Sequence, residues 1–199
     1  MTLMEPISLL FTTKILVTLF VAVLVPVYWK HYGPQNFLWL SDIGLFLTCL
    51  ALWFQSPLLV SMAIIGILPF EVMWVIDFCY QLLRGSKWLG VSDYMFDSHY
   101  SAFLRGLSLF HIVMPVIWIV CLIYWGYDVR AFYYQTALFW VVIILTYLLT
   151  DPKENINWVF MPQTQGWRWL LPQFWLAILL IGSPLFLFWP LHSLLKTSF

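Results

Sequence analysis

The chain has 199 residues, 63% hydrophobic and 9% charged, with nine basic and nine acidic side chains and a formal net charge of zero. An average soluble domain is about 25% charged, so this much apolar surface calls for lipid as its solvent. The basic residues are scattered, without the clustered stripe that nucleic acid requires, and membrane lipids are the expected partners.

About 20 mainly apolar residues cross a ~30 Å hydrocarbon core as a helix. Six segments meet that length, approximately 8–29, 36–54, 58–83, 104–125, 131–150 and 169–193. They predict an all-α, six-transmembrane-helix bundle, with residues 1–199 forming a single integral membrane domain. The opening MTLMEPISLLF lacks the positive region of a cleavable signal and no A-x-A site follows, so the first run is read as a retained span. Short connections carry turn-formers: HYGPQ at 31–35, QSP at 55–57 and GYD at 126–128. The third segment is long and contains Pro69, which predicts one kinked helix, because proline removes a backbone bond and clashes with the preceding turn. Two loops, 84–103 and 151–168, are rich in Trp, Tyr and Phe and are expected to lie along the interface.

With six spans, the loops after the first, third and fifth share a side and carry Lys30, Arg84, Lys87, Arg105, Lys153 and Arg168. The other side has Arg130 and Lys196, with Lys14 just inside the first span. That asymmetry predicts cytoplasmic odd-numbered loops and termini outside. Cys49, Cys79 and Cys121 lie within apolar runs without CxxC or Cys–His spacing, so all three are expected to be packing residues. No cofactor is implied. Asp97 and His99 alone are too few for a metal site. His31 and His192 fall at span ends and are read as interfacial.

Asp42, Glu71, Asp77 and His111 are ionisable side chains inside apolar segments. A charge at mid-bilayer depth costs roughly 2.5–3.5 kcal/mol on insertion scales, which makes such residues candidates for a functional site. At 1.5 Å per residue, Ser41, Asp42, Asp77 and His111 all lie about 6–9 Å from span ends on one side. In that layer Ser41 can act as nucleophile and His111 as its base, with Asp77 or Asp42 orienting the imidazole. Helical neighbours do not share a face, which favours Asp77 over Asp42. Pro115 frees the carbonyl of residue 111, a group tolerated in a membrane where protein or water satisfies it. Glu71 lies deeper and is read as bonded to a neighbouring helix or as serving ion movement. After the fifth span, Asn155, Asn157 and Trp158 reach the same face, where Asn can donate to an oxyanion or serve turns and caps.

FLWLSDIGLF (37–46) resembles the second-span segment of the transmembrane acyltransferases that remodel ether phospholipids, in which a Cys nucleophile occupies the place of Ser41. LFHIVMP (109–115), then a span, then NINWVFMP (155–162) resembles the androgen-induced membrane hydrolases that cleave fatty-acid esters of hydroxy fatty acids. These resemblances imply six spans, His111 as catalytic base and Ser41 as nucleophile. A gapless match to the hydrolases places their Thr nucleophile nearer Trp39 than Ser41. The expectation is therefore a membrane-embedded lipid hydrolase or acyltransferase working on a lipid or fatty-acyl substrate. Ser41, His111, Asp77 and Asp42 are its catalytic candidates, and Asn155, Asn157, Trp158 and Trp39 its substrate-binding ones. The alternative is a non-enzymatic binding or transport protein, or an accessory subunit associated with other membrane subunits.

Overall fold

In the computed structural model, which describes residues 4–160 and 171–199 (side chains from residue 10 onward), the described residues form helices and no strands. Helix α1 spans Met4–Tyr32, α2 Leu40–Phe54, α3 Pro57–Gly66 and α4 Leu68–Arg84. A single turn of helix, α5 (Ala102–Leu107), leads into α6 (Phe110–Trp125), followed by α7 (Ala131–Leu149). Helix α8 (Pro172–Ser183) continues through a π-helical stretch, Pro184–Phe188, into α9 (Trp189–Ser198). The start of the expected sixth span at residue 169, together with residues 161–168 of the second aromatic loop, lies outside the described residues.

The chain is an all-α polytopic membrane protein. Four stretches are long and apolar enough to cross a bilayer: Leu10–Tyr32, Ala102–Trp125, Ala131–Leu149 and Pro172–Ser198. A fifth is the pair α3–α4, and here the structure departs from the expected single kinked helix. The chain breaks at Ile67, and the two pieces meet at 54°. Pro69 sits in the first turn of α4, not mid-helix, where its missing N–H is tolerated. At 15 residues α2 is about 22 Å long, short of a full crossing without help from its flanks.

Helix α3 is the hub. It is apolar on every side, and Val60 through Ile67 are all buried against α2, α6, α7 and the C-terminal helices. A helix without a polar face belongs in the middle of a protein. Its start is fixed locally: Gln55 turns the chain through a left-handed conformation, Ser56 Oγ accepts from the Leu59 amide, and Pro57 opens the helix. Close approach elsewhere depends on glycine. A Cβ on Gly44 would lie 3.3 Å from both Ile67 and Trp118, and Trp118 Nε1 donates to Thr48 Oγ1 at 2.6 Å one turn further along α2. Of the cysteines, Cys121 is buried and Cys49 half-buried, but Cys79 is exposed on α4, contrary to the expected packing role.

The loops after α1, α4 and α7 meet at one end. Gln35 donates to Glu154 Oε1 at 2.9 Å, tying the first of them to the third. Asn157 makes a second tie: its Oδ1 accepts from the Leu40 amide and its Nδ2 donates to the Leu38 carbonyl. The loop after α4 is folded around Asp77, described below. These three loops and the adjoining helices border two adjacent chambers that share part of their walls.

Candidate functional site: a two-chambered cavity

His111 lies in the first turn of α6, and its Nδ1 is 2.5 Å from Glu71 Oε2 in the first turn of α4. Both residues are buried, His111 at 9% exposure and Glu71 at 1%. The break at Ile67 redirects α4 away from the axis of α3, and α4 packs on α6, where the two residues meet. Trp74, one turn after Glu71, stacks on the imidazole with centroids 4.4 Å apart, and Phe110 stacks on it as well. Ring plane and Nδ1 partner are thus both fixed. A carboxylate on Nδ1 calls for the tautomer that carries its proton there and leaves Nε2 as the basic nitrogen. Among the described residues, no group bonds Nε2.

The structure corrects the sequence reading at this point. Glu71, not Asp77 or Asp42, is the carboxylate that holds His111. Asp77 is fully buried but faces the loop after α4. Its oxygens accept from the amides of Leu89 and Ser92 at 2.8 and 2.9 Å, from Ser92 Oγ at 2.7 Å and from Gln81 Nε2 at 3.4 Å. Its capacity is spent on folding that loop. Asp42 is 2% exposed; its Oδ2 accepts from Asn36 Nδ2 at 2.8 Å, and its Oδ1 has no hydrogen-bond partner among the described residues.

The first chamber, about 370 Å³, is the more polar of the two. Tyr28, Tyr32, Tyr94, Tyr100, Asn36, Asp42 and Ser108 line it, together with Gln35 and Glu154. Burial pushes the Tyr94 hydroxyl far above its ordinary pKa, so it stays a neutral hydrogen-bonding group. The second, about 580 Å³, is mainly apolar, with Leu40, Phe70, Met73, Phe139, Ile143, Trp175 and Leu179 among its walls. Trp39, Ser41, Trp74, Val91 and His111 line both chambers and so mark the junction. Ser41 is the second residue of α2, in a first turn whose amides lack intrahelical partners and carry the positive end of the helix dipole. No hydrogen bond joins Ser41 to His111; they share the junction without touching.

The asparagines do not act as free donors. Asn157 is a cap for α2, with both ends of its amide engaged; Asn155 Oδ1 accepts from the Phe160 amide at 2.9 Å within its own turn. Both residues hold left-handed backbone, which Asn tolerates, and Trp158 does too at φ 60°, which is unusual for a bulky residue. Trp158 lines the apolar chamber, and its carbonyl accepts from Trp175 Nε1. Among the histidines outside the site, His31 Nδ1 pairs with the Val27 carbonyl, and His192 is buried against the Tyr127 hydroxyl at 2.7 Å. Asp97 accepts from the amide of His99 in a local turn, and no three His, Cys, Asp or Glu side chains converge among the described residues.

Fold and cavity together define a polytopic α-helical membrane protein with an amphipathic internal site. No protein-family model, curated protein or solved structure matches the chain.

Proposed function

We propose that the chain is a membrane-embedded lipid hydrolase or acyltransferase that works at the junction of the two chambers. The observation that carries this reading is the buried Glu71–His111 pair facing the same junction as Ser41, with a polar chamber on one side and an apolar one on the other. That layout suits an acyl ester, whose carbonyl lies between a wet head and a dry chain. In the proposed reaction Ser41 Oγ attacks the carbonyl carbon while His111 Nε2 takes its proton. Glu71 steadies the imidazolium that forms. In this reading the first amides of α2 left unbonded serve as donors to the developing oxyanion. His111 then returns the proton to the leaving alcohol oxygen, which departs and leaves acyl-Ser41. Water or a second alcohol, deprotonated by His111, attacks that ester and releases the acyl product, and His111 passes the proton to the departing Ser41 Oγ. Ser41 and His111 must approach by a rotamer change for the first proton transfer, since they are not bonded in the free protein.

Six crossings, with α2 completed by its flanking turns, and cytoplasmic loops after α1, α4 and α7 belong to the same reading; they rest on hydropathy and the distribution of Lys and Arg. The second reading, a non-enzymatic binding or transport protein, draws on the absent Ser41–His111 bond and on the broken α3–α4 helix, a form common at transporter binding sites. A serine-reactive fluorophosphonate probe separates the two. Labelling that disappears in Ser41→Ala is the expected result; an unlabelled, well-folded wild-type protein would favour the second reading.

A further inference from the structure

Asp42 takes no part in the reaction above, yet it is the most conspicuous polar group of the polar chamber. It is 2% exposed, and among the described residues its single partner is the neutral amide of Asn36 and its Oδ1 has none. Among the described residues no Lys or Arg lines this chamber; the ion pairs Lys87–Asp93 and Arg130–Asp128 lie elsewhere, and His111–Glu71 sits at the junction. Buried carboxylates in proteins are normally paired. Aromatic rings supply the rest of the wall: Tyr28, Tyr32, Tyr94, Tyr100, Trp39 and Trp74. They fall in two groups of touching rings, Tyr28 against Tyr32 at 5.2 Å with Tyr32 against Tyr100 at 6.1 Å, and Trp74 against Tyr94 at 6.4 Å. Ring faces carry negative quadrupole charge and attract organic cations, and cages of Tyr and Trp are a recurrent solution for quaternary ammonium groups. A carboxylate with a vacant oxygen inside such a cage has the complementary charge. An anionic head would meet Asp42 and Glu154 and, among the described residues, no Lys or Arg.

We propose that the polar chamber is a site for an ammonium group, and that this group is the head of an amphiphile whose chain lies in the adjoining apolar chamber. The proposal rests on the two-chamber reading above but on no step of acyl transfer. Asp42 supplies the counter-charge, the Tyr and Trp rings supply cation–π contact, and the ester or other link of the amphiphile falls at Ser41 and His111.

The test uses the full chain in maltoside micelles and calorimetric titration with amphiphiles that carry no acyl ester. These are tetradecylphosphocholine, tetradecylphosphoglycerol, which lacks the amine, and tetramethylammonium chloride, which lacks the chain. Tetradecylphosphocholine should bind at least about tenfold more tightly than tetradecylphosphoglycerol, a ratio within reach of one desolvated cation–π or charge contact. Asp42→Asn, which keeps an acceptor for Asn36, should bring that ratio to about one. Tyr100→Phe should preserve the preference and Tyr100→Leu reduce it, a pair that decides the matter if Asp42→Asn does not fold. Equal binding of the two amphiphiles by the wild-type protein would overturn the proposal, as would an unchanged preference in folded Asp42→Asn. Tetramethylammonium binding as tightly as tetradecylphosphocholine would replace the amphiphile with a free amine. Absent preference with intact Ser41 labelling would reject the head group alone, and retained preference without labelling would reject acyl transfer alone.

Discussion

Replacing Glu71 with Gln is the sharpest perturbation of the proposed chemistry, because the side chain keeps its shape and loses only its charge. The Glu71 oxygen stands 2.5 Å from His111 Nδ1, and both groups are buried. When His111 accepts a proton, the two charge centres lie roughly 4 Å apart. At an effective dielectric of about 20 that attraction is about 4 kcal/mol. Losing most of it in the transition state lowers turnover roughly 10²–10³-fold, at about 1.4 kcal/mol per decade. A second route leads the same way: an amide nitrogen turned toward Nδ1 forces the imidazole proton onto Nε2 and removes the base. His111→Gln should cost the 10²–10⁴-fold typical of a lost acid–base group. Groups that act as a unit are not additive, so Glu71→Gln should do little more on the His111→Gln background. Ester hydrolysis in micelles gives the rates, and a detergent melt on each variant shows that the fold survives. Wild-type turnover in a well-folded Glu71→Gln protein, or fully multiplicative losses in the double variant, would refute the dyad. A shift of the melt by about 1 kcal/mol with no change in rate would mark the pair as interhelical glue.

Other expectations concern the scaffold around the dyad. Asn157→Ala removes the partner of the Leu40 amide and of the Leu38 carbonyl, and should destabilise the protein by about 1–3 kcal/mol in a detergent melt. It should also lower turnover, since α2 carries Ser41. Gly66→Ala puts a Cβ within 2.1 Å of Gln135 Nε2, and Gln135 is fully buried. The expected cost is about 1–3 kcal/mol of overpacking, and adding Gln135→Ala should recover most of it; an uncompensated double variant would contradict this packing. Asp77→Asn replaces one acceptor oxygen of the loop clasp with an amide nitrogen, so proteolysis within 85–100 should accelerate while the intrinsic rate at the junction changes far less than in Glu71→Gln.

The sequence was most informative where a property is additive along the chain. Apolar runs gave the crossing helices, and the depth of His111 in its span singled it out before any contact was known. Partner choice was harder to read, because it depends on geometry that no local pattern encodes. Glu71 and Asp77 are six residues apart on one helix, which separates them by about 9 Å along the axis and about 120° around it. Only one can face α6, and the 54° bend at Ile67 decides which. The backbone amides that claim Asp77 come from a loop whose path is invisible in composition. Pro69 did signal an interruption, but proline is equally at home in a first helical turn, and the break fell two residues earlier. The Asn-rich turn after α7 was recognisable as turn-forming, and its role as a cap on α2 needed the tertiary fold.

Buried polar groups in this protein divide by how much of their bonding capacity is already used. Asp77 and Asn157 are engaged on both sides, and the Thr48 hydroxyl both donates, to the Gly44 carbonyl, and accepts, from Trp118. They behave as structural parts, and a ligand would have to compete with strong internal bonds to reach them. Asp42 Oδ1 is buried without a partner among the described residues, His111 Nε2 and the half-buried Ser41 hydroxyl also have capacity left over, and all three side chains belong to the walls of the polar chamber. An unmet bond at a buried atom such as Asp42 Oδ1 is costly, and beside a cavity it is better explained by a ligand than by packing. Gln135 shows that the criterion discriminates. Its amide is also buried without a partner, but it lines neither chamber and presses on Gly66 beside the break between α3 and α4. There the unmet bonds accompany a tight helix contact, and the expected consequence of changing Gln135 is on packing and stability, with head-group preference and Ser41 reactivity left to the residues at the junction.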